Sequence, residues 1–267
     1  MNIVIPMAGR GSRFADVGID TPKPLIDVRG KPMYAWAVDS LPLQLAHRLI
    51  FVCLDEHLEQ TVLLNDIQQR YADHQPVVIR LNAVTAGQAC TVLKAKSWID
   101  NHEPLLIFNA DTYCRTAMDT LLKKLPDDVA GIISVFQAPG ERWSFAQVDQ
   151  HDRVVATAEK QRISDWASNG LYYFSEGATF VQHAEAMIAD RATHNNEYYI
   201  IPIYNRMIAA GAKVIIEKAS ETWPLGTPED LEYFEQHYPQ RPQKKVVELF
   251  GTAEYYEDYQ PKKYRKK

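Results

Sequence analysis

Residues 2–14 read NIVIPMAGRGSRF, an apolar run that breaks at once into Gly9-Arg10-Gly11-Ser12-Arg13. A short Ile/Val run without polar alternation predicts a strand buried on both faces. The two glycines after it let the backbone come close to a ligand, and successive N–H groups there can form an anion-binding nest. Arg10, Arg13 and the lysine of Pro22-Lys23-Pro24-Leu25 surround that nest with positive charge. Such a set suits the phosphates of a nucleoside triphosphate better than a neutral ligand. Taken alone, the Gly-x-Gly-Ser-Arg motif is also compatible with an ordinary turn.

Two better-known glycine loops do not fit. A dinucleotide-binding G-x-G-x-x-G fails because Phe14 stands where the third glycine belongs, and the chain runs on through Thr21-Pro22 instead of straight into a helix. A P-loop needs Gly-Lys-Ser/Thr, which the sequence lacks.

Outward from this loop, further unalternating apolar runs at 48–54, 77–81, 105–108 and 131–136 read as strands. Helical periodicity falls between them near 33–41, 57–71, 87–99 and 117–125. That β-α-β-α order predicts an α/β fold with a doubly wound, mostly parallel sheet. Beyond Trp143 the rhythm changes. Segments 145–149 and 154–158 read as a hairpin and 169–174 as a strand. Two helices follow, one with Phe180, Val181, Ala184, Met187 and Ile188 on a single face, the other with Ile200, Tyr204, Met207 and Ile208. Gly211 reads as the C′ residue before a strand at 213–217, and Thr227 as the N-cap of a last helix opening Pro228-Glu229-Asp230.

The chain has 267 residues, 46% hydrophobic and 24% charged, with net charge −5, so a general nucleic-acid coat is excluded. Residues 240–267 carry eight Lys/Arg against four Asp/Glu, a balance of +4 that leaves −9 for the rest. The expected domains are therefore a body at 1–239 and a basic, Tyr-rich extension at 240–267. The extension reads either as a solvated or strand-forming tail or as a dock for a neighbouring subunit (making a homo-oligomer) or an anionic partner. Cys53, Cys90 and Cys114 show no paired spacing, so reduced thiols are expected. No apolar run is long enough to span a bilayer, and the N-terminal run lacks a basic n-region, so a cytoplasmic location is expected.

The order of motifs resembles the nucleotidyltransferases that make nucleoside-diphosphate sugars from sugar 1-phosphates. After the strand, glycine loop and Pro-Lys-Pro-Leu come Gly87-Gln88-Ala89, Asn109-Ala110-Asp111, Ala158-Glu159-Lys160, Asn169-Gly170-Leu171-Tyr172 and Trp223…Gly226-Thr227-Pro228-Glu229. Together they cover residues 2–235 in the family's order. The pattern is most similar to short members found in bacterial capsule and lipopolysaccharide gene sets, which lack the C-terminal β-helix of larger relatives.

The resemblance implies a Rossmann-like, GT-A-like fold with a mixed sheet, and a nucleotidyl transfer that expels pyrophosphate with Mg²⁺ as cofactor. It assigns Met7, Ala8, Gly9, Arg10, Gly11, Ser12, Gly87, Gln88 and Asn109 to the nucleotide. Arg13 would stabilise the leaving pyrophosphate, Lys23 the α-phosphate, and Asp111 the metal. Glu159, Lys160, Asn169, Gly170 and Trp223 would hold the phosphorylated acceptor. For Asp111 a helix N-cap is the bland alternative, and for Glu159-Lys160 a solvated surface pair.

The family's usual W-x-D-x-G-T is here Trp223-Pro224-Leu225-Gly226-Thr227, with Leu225 in place of the second metal-binding aspartate. Either Asp111 and phosphate oxygens hold the metal alone, or an acid such as Glu197 or Glu221 substitutes. The difference also leaves room for cytidylyl transfer to phosphocholine or another non-sugar phosphate. Two rivals of other classes remain, a glycosyltransferase on a similar fold (though no D-x-D occurs) and a non-catalytic nucleotide-binding protein.

Overall fold

The computed structural model describes residues 1–238; the expected basic extension lies outside the described residues. The first half of the chain builds β1 (Asn2–Met7), α1 (Ser12–Ala15), a ribbon of β2 (Asp27–Val28) and β3 (Lys31–Pro32), and α2 (Met33–Val38). Next come β4 (Arg48–Leu54), α3 (Asp55–Gln60), α4 (Leu63–Arg70), β5 (Val77–Leu81), α5 (Gln88–Leu93), α6 (Lys96–Ile99) and β6 (Leu105–Phe108). Strands β6, β1, β4 and β5 lie side by side and parallel, with Asn2 opposite Leu105 on one edge of β1 and Arg48 on the other.

Alternate residues of the same strands feed two cores. Val4, Ile50 and Val52 pack on one face, while Ile3, Ile5, Leu49 and Phe51 pack on the other against Tyr34 and Val38 of α2 and Leu63 and Ile67 of α4. Each such side chain removed from water contributes about 1.5–3 kcal/mol. Burial on both faces is why these strands carry no polar alternation.

The second half adds β7 (Thr112–Arg115), α7 (Met118–Leu122), β8 (Val129–Gln137), β9 (Ser144–Val148), β10 (Val154–Glu159) and β11 (Trp166–Phe174). It ends with α8 (Gly177–Ala189), α9 (Ile201–Ala209), β12 (Lys213–Lys218), β13 (Glu221–Pro224) and α10 (Pro228–His237). The long strand β11 joins the halves. It runs antiparallel to β6 through Leu171–Phe108 and to β8 along its length, while Ala167 reaches Phe145 of the β9–β10 hairpin. Strand β12 closes the far edge parallel to β8. The doubly wound mixed sheet expected from the sequence is present, and its antiparallel part is made by β11 and the β9–β10 hairpin. Gly211 sits at φ +90 just past α9, and Thr227 caps α10, its side chain accepting from the Asp230 N–H at 3.2 Å. Cys53 and Cys114 are buried, Cys90 half-buried, and all three are free thiols.

Two expectations change. The segment after Asp111 is β7, paired antiparallel with β13 through Tyr113–Trp223, so the helix N-cap reading of Asp111 falls. The helical stretch at 57–71 is two helices, because the Thr61 hydroxyl bonds back to the His57 carbonyl and also accepts the Leu63 N–H that starts α4.

A third, smaller core joins Phe14, Met33, Tyr113, Trp223, Leu225 and Phe234. It ties the glycine loop, the β7–β13 ribbon and α10 into one support at the C-terminal ends of β1 and β6, where open α/β sheets bind ligands. Phe14, the residue that breaks the dinucleotide motif, is 1% exposed and anchors the loop there.

Candidate active site

Two adjoining cavities open at this support, of about 260 and 280 Å³. Gln88 and Asn109 line both and stand between them, the Gln88 amide donating to Asn109 Oδ1.

The first cavity is walled by Met7, Gly9, Lys23, Pro24, Ala110 and Asp111. Gly11 takes a left-handed φ of +66, and a Cβ on it would come 2.8 Å from Lys23 Cβ, so glycine is what lets the lysine segment cross the loop. Lys23 Nζ donates to Asp111 Oδ2 at 2.5 Å, with the two side chains 21% and 29% exposed. The Asp111 carbonyl accepts the Leu225 N–H at 2.8 Å, so the turn after β13 fixes the backbone of the aspartate. Ala8 is buried behind the loop, whereas Arg10, Ser12 and Arg13 are exposed on it.

The second cavity is polar and bears charges of both signs. Glu159 is 8% exposed and accepts from the Ser144 hydroxyl. Burial pushes its carboxyl above the usual carboxylate range, and the Ser144 bond and Lys160 charge oppose that. Lys160 holds a left-handed φ of +50, a costly conformation for a side-chain-bearing residue. Its Nζ donates to the Tyr199 hydroxyl at 2.6 Å, and its N–H to the Trp143 carbonyl at 2.9 Å. Arg142 grips Asp230 with both terminal nitrogens, at 2.7 and 3.3 Å, and lies 4.2 Å from the centre of the Trp143 ring. Arg13 lines this cavity rather than the first.

The floor is a bulge in β11. Between Ser168–Val135 and Tyr172–Ile133, residues 169–171 stand opposite the single residue Ser134. A Cβ on Gly170, at φ +89, would lie 2.1 Å from Asn109 Nδ2, so the bulge comes close to Asn109 only as glycine. Asn169 is 3% exposed and bound into the framework. Its Nδ2 donates to Ser134 Oγ at 2.8 Å and its Oδ1 accepts from the Leu171 N–H, while Ser134 donates to Glu217 at 2.6 Å.

Three sequence expectations need correction here. The Trp223 side chain is 0% exposed and packs in the third core against Phe234, because strand alternation turns its neighbours Thr222 and Pro224 toward the cavity instead. Glu221 follows Trp223 away from the cavities. It is 4% exposed, accepts the Trp223 indole N–H at 3.4 Å and pairs with Arg115 at 3.5 Å, so it is no metal ligand. Leu225 is 0% exposed in the same core. Glu197 lies beside Tyr199 and is not among the residues that line the cavity of Asp111.

Among the described residues, no group of three or more His, Cys, Asp or Glu side chains gathers to hold a metal. A single carboxylate opening on space for phosphate oxygens still suits Mg²⁺, which keeps water and phosphate ligands rather than an all-protein cage. The sequence reading missed Arg142, Ser144 and Tyr199. Arg142 precedes β9 and Ser144 opens it, in a stretch without motif, and Tyr199 arrives by a tertiary contact with no local signal.

Residues 3–241 match the family model described as nucleotidyl transferase. The chain is 28% identical to the nucleoside-diphosphate-sugar pyrophosphorylase of Vibrio cholerae RC9, with a TM-score of 0.77 over 88% of this chain and all of that one. A UDP-glucose pyrophosphorylase complexed with UDP-glucose shares the fold at 17% identity, with a TM-score of 0.68 over 90% of this chain and 99% of that one. Among curated proteins, the bifunctional protein GlmU of Cupriavidus pinatubonensis is 23% identical over 84% of this chain, which spans 48% of that protein's length. The UTP–glucose-1-phosphate uridylyltransferase AglF of Haloferax volcanii is 22% identical over 88% of this chain and 96% of its own. A family match across most of the body, on the fold and cavities described, makes this chain a member of the nucleotidyl transferase family.

Proposed function

We propose that the chain condenses a nucleoside triphosphate, bound in the first cavity, with a sugar 1-phosphate bound in the second, releasing pyrophosphate and an activated sugar. The observation that carries this reading is the pairing of two joined cavities, one built on Lys23 and Asp111 and the other on Glu159 and Lys160. An acceptor phosphate oxygen attacks the α-phosphorus, the bond from that phosphorus to its β-bridging oxygen breaks, and pyrophosphate leaves with the electron pair. The nucleophile is already an anion, so no general base is needed and repulsion between polyanions is the main barrier. Lys23 would neutralise the α-phosphate, Lys160 the acceptor phosphate, and Arg13 charge at the junction of the two, while Glu159 would accept hydrogen bonds from acceptor hydroxyls. Asp111 would hold Mg²⁺, which when bound supplies further charge neutralisation to the phosphates.

A specific feature favours a sugar over phosphocholine. Two of the aromatic rings lining the second cavity already carry the protein's own cations, Arg142 over Trp143 at 4.2 Å and Lys160 over Tyr199 at 4.7 Å, and the Tyr172 that also lines it is 4% exposed. A quaternary ammonium seeks open ring faces and would meet positive charge here. We further infer, from the resemblance of the motif order to short capsule and lipopolysaccharide members, that the product is a precursor of surface polysaccharide made in the cytoplasm.

The base is left to experiment, since the Gln88 amide is engaged by Asn109 and an amide pairs with either base class by turning over. The test is a panel of CTP, UTP, dTTP and ATP against sugar 1-phosphates, inositol 1-phosphate and phosphocholine, read as pyrophosphate. Release with phosphocholine alone would favour the cytidylyltransferase reading. Sugar transfer from a preformed nucleotide sugar without pyrophosphate would favour a glycosyltransferase, and tight nucleotide binding with no turnover a binding protein.

A further inference from the structure

Glu197 ends a tight turn and lies beside Tyr199, which lines the second cavity. His194 and Glu197 exchange backbone hydrogen bonds at 3.0 Å in both directions, and the two central residues, Asn195 and Asn196, have φ of +49 and +62. Positive φ at both central positions is the type I′ geometry that asparagine tolerates best. The chain leaving the turn is pinned in turn to the first turn of α5 and the segment before it. Tyr198 donates to the Ala86 carbonyl and accepts from the Ala89 N–H, each at 2.9 Å. Glu197 and Tyr199 are thus fixed by backbone bonds on both sides of Tyr198.

Lys160 is equally constrained, by its left-handed backbone and by its N–H bond to Trp143. Its ammonium meets the Tyr199 hydroxyl at 2.6 Å and lies 4.7 Å from the centre of that ring. The charged groups that act on the Tyr199 hydroxyl are Glu197, Glu159 and Arg13, and those that act on Glu159 are Lys160, His194 and Glu197. Burial, and after it the neighbouring Glu197 carboxylate, push the Tyr199 hydroxyl above its ordinary pKa, so it stays a neutral phenol. A neutral hydroxyl can hold an ammonium in place without cancelling its charge, whereas a carboxylate in the same place would cancel it.

We propose that Tyr199 is a positioning residue that stands between Lys160 and Glu197, prevents their direct ion pair, and so keeps the charge of Lys160 available to the phosphate of the acceptor. This deepens the acceptor reading of the second cavity and rests on it.

The experiment compares wild type, Tyr199→Phe, Glu197→Gln and the double variant, with the sugar 1-phosphate and triphosphate that turn over fastest in the panel. Tyr199→Phe keeps the ring and removes only the hydroxyl. The KM for the acceptor should rise about tenfold, as expected for one charge-assisted contact, with kcat and the KM for the triphosphate nearly unchanged. In Tyr199→Phe/Glu197→Gln the acceptor KM should return close to wild type, because the carboxylate that captures Lys160 is gone. A tyrosine that merely supports the fold would not be rescued in this way.

A second readout needs no substrate. Covalent labelling of the Lys160 amine, followed by mass spectrometry, should slow in Tyr199→Phe and recover in the double variant. An unchanged acceptor KM in Tyr199→Phe, or a double variant that stays as impaired as the single one, overturns the proposal. If wild type releases no pyrophosphate with any acceptor, the acceptor reading fails instead, and the labelling series still decides whether Tyr199 separates Lys160 from Glu197.

Discussion

Lys23 and Asp111 face each other across the first cavity with Nζ and Oδ2 2.5 Å apart. On the proposed reading, a cation assigned to phosphate and an acid assigned to a metal therefore neutralise one another before any ligand arrives. Gly226 lies against the pair, and a Cβ there would sit 3.1 Å from Asp111 Oδ2 and 3.8 Å from Lys23 Nζ. The arrangement keeps both groups in position at small electrostatic cost, since each has its counter-charge; on the proposed reading a polyanion and a divalent cation would take over the two roles.

Lys23→Ala should therefore lower the rate by about 100-fold or more, the scale of losing a fixed cation at a developing charge. Its fold should stay intact, because the side chain is partly exposed and Asp111 keeps its backbone bond from Leu225. Steady-state pyrophosphate release alongside circular dichroism checks both halves. Near-normal turnover would sink the role given to Lys23.

Leu225→Asp, which writes the family's usual aspartate into the turn, should destabilise rather than create a second metal ligand. Leu225 is 0% exposed and packed in the third core, and an unpaired carboxylate there costs several kcal/mol, on the order of 2–4, or stays protonated. Thermal melts with and without Mg²⁺ test this. A variant as stable as wild type that binds metal more tightly would show the turn can still present an acid to the cavity.

Gly170→Ala should damage the site through Asn109. The added Cβ would fall 2.1 Å from the Asn109 amide at a φ of +89, so a loss of about 2–4 kcal/mol from strain and displacement is expected. Because Asn109 also accepts from Gln88 between the cavities, the KM for the triphosphate should rise as well. Wild-type melting and kinetics in this variant would contradict the close approach.

Glu159 ties stability to pH. Its pKa is raised in the folded protein, chiefly by burial, so the folded state holds the proton more tightly than the unfolded chain does. Below the ordinary carboxylate range the group costs nothing. As pH rises through the raised folded value, the folded state must ionise a buried acid and stability falls. Glu159→Gln should thus melt higher than wild type at neutral pH, and the gain should vanish near pH 4 (about the unperturbed carboxylate value). The same variant should bind the acceptor more weakly. Melting curves across pH, with no difference at neutral pH, would refute the burial cost.

Much of the body was legible because buried parallel strands announce themselves locally. Strand β4 falls on the same residues as its apolar run at 48–54, and helix ends are marked locally, by the positive φ that Gly211 permits and by the Thr227 hydroxyl that caps within a turn. What the sequence hid was set by partners far along the chain. Thr112–Arg115 is a strand only because Glu221–Pro224 lies beside it, and that pairing turns Trp223 inward although its motif suggests a ligand contact. Arg142 owes its place to Asp230, and Tyr199 owes its meaning to a bond from Lys160. No periodicity carries such information.

The central claim, that one site joins a triphosphate to a sugar phosphate, is tested most directly by pyrophosphate release with each substrate present, then withheld, in Mg²⁺. The expected result is one pyrophosphate for each sugar 1-phosphate consumed, none when either substrate is left out, and near-complete loss in Lys23→Ala. Silence across every triphosphate and acceptor pair, or pyrophosphate that appears without an acceptor, would contradict it.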